Sequence, residues 1–361
     1  MSEVIAIIIF LGVILAIMTE KIHRTAAALT GTVLLLLTHV LTVDKAVGYI
    51  DFNTIGVLIG MMIFVAVVKN SGIFEYIAIK AAKLAHGDPW RIMMIFMVIT
   101  AVLSAFLDNV TTVLLVGPMT ITIARMLKVN PVPFLMTQIL ASNIGGTATL
   151  IGDPPNIMIG SAAGLDFMDF LTNTGLVVVV IMAVMVVIMR FLYGSHLSAD
   201  KEAIAAVMQL DENKAIEDRP LLIKSVVIMI LVVAGFIFHS SLHIESAAVA
   251  LTAAAVMMLI GRQNIDDIIG EVEWTTILFF IGLFVVVGGL DETGVIGQLA
   301  EAVINLTEGH MILTMLVLLW ASALLSSVLD NIPFVATLIP LVLAMGESGF
   351  DIAPLWWAIS L

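Results

Sequence analysis

Long apolar stretches separated by short polar breaks run along almost the whole chain. Val4–Met18, Thr25–Val43, Phe52–Val68, Leu171–Met189, Leu221–Phe238, Ala247–Ile260 and Trp274–Leu290 are long enough, or nearly so, to cross about 30 Å of hydrocarbon as helices. The first stretch lacks a basic amino-terminal end and a small-residue cleavage site before Glu20. Residues 1–20 therefore read as a retained first transmembrane helix and not as a signal peptide. Ile73–His86 differs from the others: Lys80 and Lys83 interrupt apolar residues at helical spacing, which predicts an interfacial helix. The pattern predicts an all-α polytopic membrane protein.

One apolar run is broken in an unusual way. Ser142–Asn156 reads SNIGGTATLIGDPPN, with small polar residues, paired glycines and Pro154-Pro155. An ordinary spanning helix carries no such sequence, so a broken transmembrane helix is expected at 142–156. Non-helical backbone at membrane depth is tolerated where it is buried in protein or lines a polar cavity, and the break therefore points to a solute or ion site.

The chain also repeats itself. A shift of 222 positions places Thr30 on Thr252, Gly60 on Gly282, Gly72 on Gly294, Ser104 on Ser326 and Pro118 on Pro340. It also places Leu107-Asp108-Asn109 on Leu329-Asp330-Asn331. Repeat 1 is expected over 21–193 and repeat 2 over 220–361, joined by a polar cytoplasmic linker at 194–219 in which Ser198–Gln209 forms a short surface helix.

Charge orients the halves. Lys69, Lys80, Lys83, Arg91, Arg125 and Lys128 surround the middle of repeat 1, whereas Asp291, Glu292, Glu301, Glu308 and Glu347 occupy the matching loops of repeat 2. Basic residues collect on the cytoplasmic side of short loops, so the two copies are expected to be inverted-topology repeats. Arg91 and Arg125 both favour the cytoplasm yet flank two apolar stretches, Ile92–Leu107 and Val110–Ile123. A re-entrant helical hairpin with Asp108 and Asn109 at its tip satisfies this, and so do two full spans joined by an external turn. The hairpin reading is preferred because the broken helix needs polar partners, and a second hairpin is expected at Asp330 and Asn331.

These tips and the break supply the candidate ion- and substrate-binding residues. A carboxylate in hydrocarbon costs roughly 3 kcal/mol on insertion scales and commonly marks an ion path or proton relay. Asp108 and Asp330 are the first candidates, each followed by an amide, Asn109 and Asn331. Thr111 and Thr112 add hydroxyls able to coordinate a small cation or bond an oxyanion. Their counterparts are Pro333 and Phe334, so the two tips are not equivalent. In the break, Gly145 and Gly146 allow close backbone approach or positive φ, and Ser142, Asn143, Thr147, Thr149 and Asn156 offer adjustable partners. Unwound carbonyls suit a cation and a following helix start suits an anion. Asp153, Pro154 and Pro155 fit a structural or capping role at the second half-helix at least as well as an ion-binding one.

Composition narrows the class further. With 61% hydrophobic and 12% charged residues the chain lies far from a soluble domain, and the lipid bilayer is its main partner. The absence of cysteine removes disulfides and thiolate metal sites, and no metal beyond a sodium ion is expected. The net charge of −13 comes mainly from the linker and the loops of the last third, so nucleic acid is not a partner. No Ser/His, HExxH or paired catalytic Asp pattern appears, and an enzyme is not expected. No Walker A motif is present, so ATP-driven operation would need a separate ATPase subunit. The 22 methionines are scattered through apolar spans and read as packing.

The SNIGGTATLIGDPPN segment, the two LDN tips and the inverted duplication together resemble the ArsB/NhaD permeases of the ion transporter superfamily. That group includes arsenite efflux permeases, NhaD-type sodium/proton antiporters and the melanosomal P protein, and is related to citrate and divalent-anion/sodium symporters. The resemblance covers essentially the whole chain, and its motifs are more specific to the superfamily than to a substrate. It implies a secondary active transporter of the plasma membrane without a cofactor, with proton or sodium as coupling ion, and a homodimer by analogy with the symporters.

In the related symporters the tips carry Ser-Asn-Thr signatures, whereas here they read Asp108-Asn109-Val110 and Asp330-Asn331-Ile332. Two carboxylates would repel a di- or tricarboxylate unless protonated or neutralised by metal, and they suit proton or sodium coupling. Sodium/proton exchange or arsenite-like efflux of a small inorganic ion or metalloid therefore ranks above citrate or dicarboxylate transport. A passive channel is the reading from another class. The expected site lies between the Asp108 tip, the break and the Asp330 tip. Pro354 takes the place of Pro133 with one residue deleted, and Leu361 is level with Leu140, so repeat 2 is expected to continue for about 60 further residues, judged by the length of the first copy.

Overall fold

The computed structural model of the chain describes residues 1–194, 197–327 and 331–361. All regular structure among the described residues is helical. After α1 (Ser2–Met18) come α2 (Arg24–Leu37), α3 (Val43–Gly48), α4 (Phe52–Lys69), α5 (Ile73–Leu84), α6 (Pro89–Ser104), α7 (Asn109–Met126) and α8 (Val132–Gly146). Then follow α9 (Pro154–Ala163), α10 (Phe167–Asn173), α11 (Gly175–Tyr193), α12 (Lys201–Met208) and α13 (Arg219–Phe238). The last seven are α14 (Ser246–Gly261), α15 (Ile265–Gly270), α16 (Trp274–Glu292), α17 (Val295–Leu306), α18 (Met311–Ser326), α19 (Asn331–Glu347) and α20 (Ala353–Ser360).

The helix starts carry the repeat. Arg24 and Ser246, Val43 and Ile265, Phe52 and Trp274, Ile73 and Val295, Pro89 and Met311, and Asn109 and Asn331 are all 222 positions apart. Local devices recur as well. Gly72 and Gly294 precede α5 and α17 with φ of 77° and 79°, a left-handed conformation that glycine adopts without steric penalty. Pro118 and Pro340 sit inside α7 and α19, each leaving the carbonyl four residues earlier without its helical donor.

Among the described residues, α4, α7, α11, α13 and α16 are long and apolar enough to cross a membrane, and seven shorter apolar helices accompany them. They differ in surroundings: 72% of α16 is buried against 11% of α11, so α16 is a core helix and α11 is exposed along most of its length. The stretch Leu171–Met189, expected as one span, is divided. Asp166 and Asp169 form a reciprocal capping box that starts α10, and α11 begins only at Gly175. The predicted linker helix is α12.

Two compact units arise, and they do not coincide with the repeats. Unit 1 comprises Met1–Leu58, Ile157–Leu165 and Glu273–Leu361; unit 2 comprises Ile59–Asn156 and Asp166–Val272. Within unit 1, α2 packs along α16 through small residues, and Thr25 Oγ1 donates to the Thr275 carbonyl at 2.7 Å while Thr32 Oγ1 donates to that of Gly282 at 3.2 Å. Arg24 lies over the Phe279 ring at 5.1 Å. Within unit 2, a core of Ile92, Met93, Phe96, Met97, Ile123, Leu127 and Phe134 joins α6, α7 and α8. Lys83 ties the linker to α5 by an ion pair with Glu212 at 2.6 Å, which holds the Glu212 carboxyl below its ordinary range.

Candidate solute and ion site

The polar tip between α6 and α7 is built as a helix start. Asp108 caps α7, its side chain accepting the Thr111 N–H at 2.8 Å. Next to it, Asn109 Nδ2 donates to Asn143 Oδ1 of α8 at 3.1 Å. Asp108, Asn109 and Thr111 are half-buried and Asn143 is exposed, so a carboxylate, two amides and a hydroxyl share an accessible polar surface. Thr112 points elsewhere, since it is wholly buried.

The helix break is real but shorter than the motif. α8 remains helical through Ser142, Asn143, Gly145 and Gly146, and 147–153 is the non-helical segment before α9. Gly145 and Gly146 serve close approach and not positive φ. A Cβ on Gly145 would lie 2.1 Å from the Ala101 carbonyl oxygen, and one on Gly146 2.5 Å from that of Gly152. α6 thus presses backbone to backbone on α8, helped by Ser104 Oγ donating to the Ser142 carbonyl at 2.7 Å.

The break is stapled by side chains. Asn156 Nδ2 donates to the Thr149 carbonyl at 2.9 Å and lies 3.4 Å from those of Gly146 and Thr147. Thr174 Oγ1 bonds the Thr147 carbonyl at 2.8 Å, and Thr149 Oγ1 donates to the Ala105 carbonyl. Asn156 and Thr149, expected as solute ligands, bond backbone carbonyls in this structure. Asn156 is 2% exposed and Thr149 1%, and both hold the unwound backbone in place. Thr147 remains half-buried beside the tip, its hydroxyl bonded to the Asn143 carbonyl at 2.9 Å. Asp153 directly precedes α9 and its carbonyl accepts from the Asn156 N–H at 3.0 Å, with Pro154 and Pro155 opening the helix.

Asn331 is the first residue of α19 in unit 1, and Asp330 lies outside the described residues. Unit 1 also contains a cavity of about 310 Å³ that sequence reasoning missed. Tyr49, Asp51, Ser161, Asp291 and Pro340 line it. Asp51 Oδ1 accepts from the Asn53 and Thr54 N–H groups and from Ser161 Oγ at 2.9 Å, which makes it chiefly a cap for α4. Tyr49 Oη lies 3.3 Å from both Asp291 and Glu292, and burial together with these carboxylates pushes its hydroxyl well above the ordinary tyrosine value.

A helical bundle with a broken helix, where a half-buried carboxylate and amide meet an exposed amide at a helix start, is an arrangement suited to a membrane transporter. Residues 14–361 match the citrate transporter family CitMHS, and the chain belongs to that family. It is 44% identical over 369 residues to an uncharacterized transporter of Mycobacterium tuberculosis, covering 99% of this chain and 85% of that protein. A 46 kDa membrane protein of Mycobacterium leprae is 42% identical with the same coverage. The human P protein is 31% identical over 441 residues, and there the match covers 53% of the relative.

Proposed function

We propose that the chain is an ion-coupled secondary active transporter of the plasma membrane, of the ArsB/NhaD type within its superfamily. Asp108 is its coupling carboxylate, and protons or sodium ions are exchanged as a small inorganic ion or metalloid moves. The observation that carries this reading is the half-buried Asp108 at the start of α7, beside the Asn109–Asn143 amide pair and the unwound 147–153 segment. A carboxylate so placed can take up a proton or a sodium ion without a further cofactor. The amides of Asn109 and Asn143 and the hydroxyls of Thr111 and Thr147 suit an uncharged hydroxide or a small oxyanion.

Proton- or sodium-coupled transport of citrate or a dicarboxylate is the second reading, favoured by the description of the family. It requires the negative charge of Asp108 to be neutralised by the coupling ion when the substrate arrives.

Everted membrane vesicles carrying the full-length protein test both. With a pH gradient imposed, sodium, lithium, arsenite and citrate are added in turn. Dissipation by sodium, lithium or arsenite that disappears in Asp108→Asn supports the first reading. A response to citrate alone supports the second. Ion conductance without coupling to a gradient would make the protein a passive channel and overturn both.

A further inference from the structure

The α6–α7–α8 core of unit 2 holds more polar side chains than its hydrogen bonds use. Each helix turns a stripe of polar residues inward at helical spacing: Thr100 and Ser104 on α6, Thr112 and Thr120 on α7, Gln138 and Ser142 on α8. All are at most 2% exposed. Ser104 bonds the Ser142 carbonyl, and Gln138 Nε2 donates to Thr120 Oγ1 at 2.8 Å. Thr120 also returns its hydroxyl to the Val116 carbonyl one turn earlier at 3.0 Å. Thr100 Oγ1, Thr112 Oγ1 and Gln138 Oε1 have no partner among the described residues.

The second copy keeps the polarity on the first helix, where Ser322 matches Thr100, but not on the other two. In the second copy the positions of Thr112, Thr120 and Gln138 are held by Phe334, Val342 and Ile359 on α19 and α20, all apolar. The same helices therefore form with hydrocarbon at these places. Leaving a buried hydroxyl or amide oxygen without a hydrogen bond is unfavourable, and internal water is the usual partner where the protein supplies none.

We propose that Thr100, Thr112 and Gln138 bind internal water within the three-helix core of unit 2. The Thr112 N–H donates to the Asp108 carbonyl at 3.0 Å, so Thr112 lies one helical turn from the tip, while Gln138, bonded to Thr120 two turns further along α7, lies deeper. On the coupled-transport reading, on which this role but not the water site itself depends, a proton carried by the water passes to Asp108 and leaves neutral water behind. The inner end is closed by Ile123, Leu127 and Phe134, all buried, so the water exchanges protons from the tip side.

Radiolytic hydroxyl-radical footprinting of the full-length protein tests the site. Met97 lies on α6 beside Thr100 and is wholly buried, so radicals formed in bulk solvent do not reach it, whereas radicals formed on internal water do. Millisecond oxidation of Met97 is expected in the wild type. It should be several-fold slower in Thr112→Val and in Gln138→Leu, and retained in Thr112→Ser. Two independent variants guard against one failing to fold, and a melting curve accompanies each. An unlabelled Met97 in the wild type, or equal labelling in all variants, would overturn the proposal. Labelling as expected in a protein that transports none of the probes would sink the coupled-transport reading and leave the water site standing.

Discussion

Gly60 lies so close to Ala250 that a methyl group built on it would sit 2.5 Å from the Ala250 carbonyl carbon. The same contact recurs in the other unit between Gly282 and Ala28, at 2.9 Å. Gly60 corresponds to Gly282 and Ala28 to Ala250, so a helix of each copy is clasped by a helix of the other. Because the obstructing atoms are backbone, they have no rotamer to change. Gly60→Ala is expected to destabilise the protein by about 1–3 kcal/mol, and Gly282→Ala by less because its contact is looser. Gly12 has nothing within 4 Å, and Gly12→Ala should be neutral or stabilising. Melting of the purified variants in one detergent gives the order directly.

A second reciprocal pair differs in chemistry. Lys69 Nζ is 3.0 Å from Glu271 Oε2 in unit 2, and the corresponding positions in unit 1 are Asp291 and Tyr49. The Tyr49 hydroxyl is pushed above its ordinary value by burial, Asp291 and Glu292. Its folded value exceeds its unfolded one, so its contribution to stability is complete below about pH 10 and is lost as pH rises toward the folded value. Spectrophotometric titration just above the ordinary tyrosine range should give wild type and Tyr49→Phe the same tyrosinate absorbance. A larger signal in the wild type would show that Tyr49 ionises freely.

Much of this arrangement is legible in the residues. The displacement that aligns Asp108 with Asp330 also predicts the starts of the second set of helices, because caps, prolines and positive-φ glycines repeat with the apolar stretches. The exchange of partners is not legible, since Gly60 and Gly282 are ordinary small residues in apolar runs and only long-range packing reveals their neighbours. The motif around 142–156 marks the break but does not separate residues at the polar tip from those that staple the backbone. Asn143 and Asn156 are the same residue type 13 positions apart, yet one is exposed at the tip and the other is buried across three carbonyls. Gln138 is a single polar residue in an apolar stretch and carries no signal alone, and Ser104 stands out only as the repeat match of Ser326. The spacing of Thr100 and Ser104, one turn apart, was the available signal.

The staple makes Asn156 sensitive to the sign of its replacement. Asn156→Ala removes the side-chain donor to the Thr149 carbonyl, a loss of about 1–3 kcal/mol for a buried acceptor, while the Thr147 carbonyl keeps its bond from Thr174. Asn156→Asp should be worse, because a carboxylate oxygen would face those carbonyl oxygens in a buried site. Melting temperatures in the order wild type, Asn156→Ala, Asn156→Asp are expected. An Asn156→Asp protein as stable as the wild type would refute the assigned role.

Asp108 caps α7 and, on the coupled-transport reading, also changes charge during transport; two substitutions divide these roles. As a helix cap it accepts the Thr111 N–H, a role that asparagine fills about as well as aspartate. As a coupling group it must change charge, which asparagine cannot do. Asp108→Asn should therefore keep its melting temperature and lose coupled transport. Asp108→Ala should lose transport and about 1 kcal/mol of stability besides, the ordinary loss on removing a cap. Measuring melting and gradient dissipation on the same preparations reads both quantities. Transport retained in Asp108→Asn would leave Asp108 as a cap alone and move the search for the coupling carboxylate to the acidic residues of unit 1, beginning with Asp51 and Asp291 at the cavity.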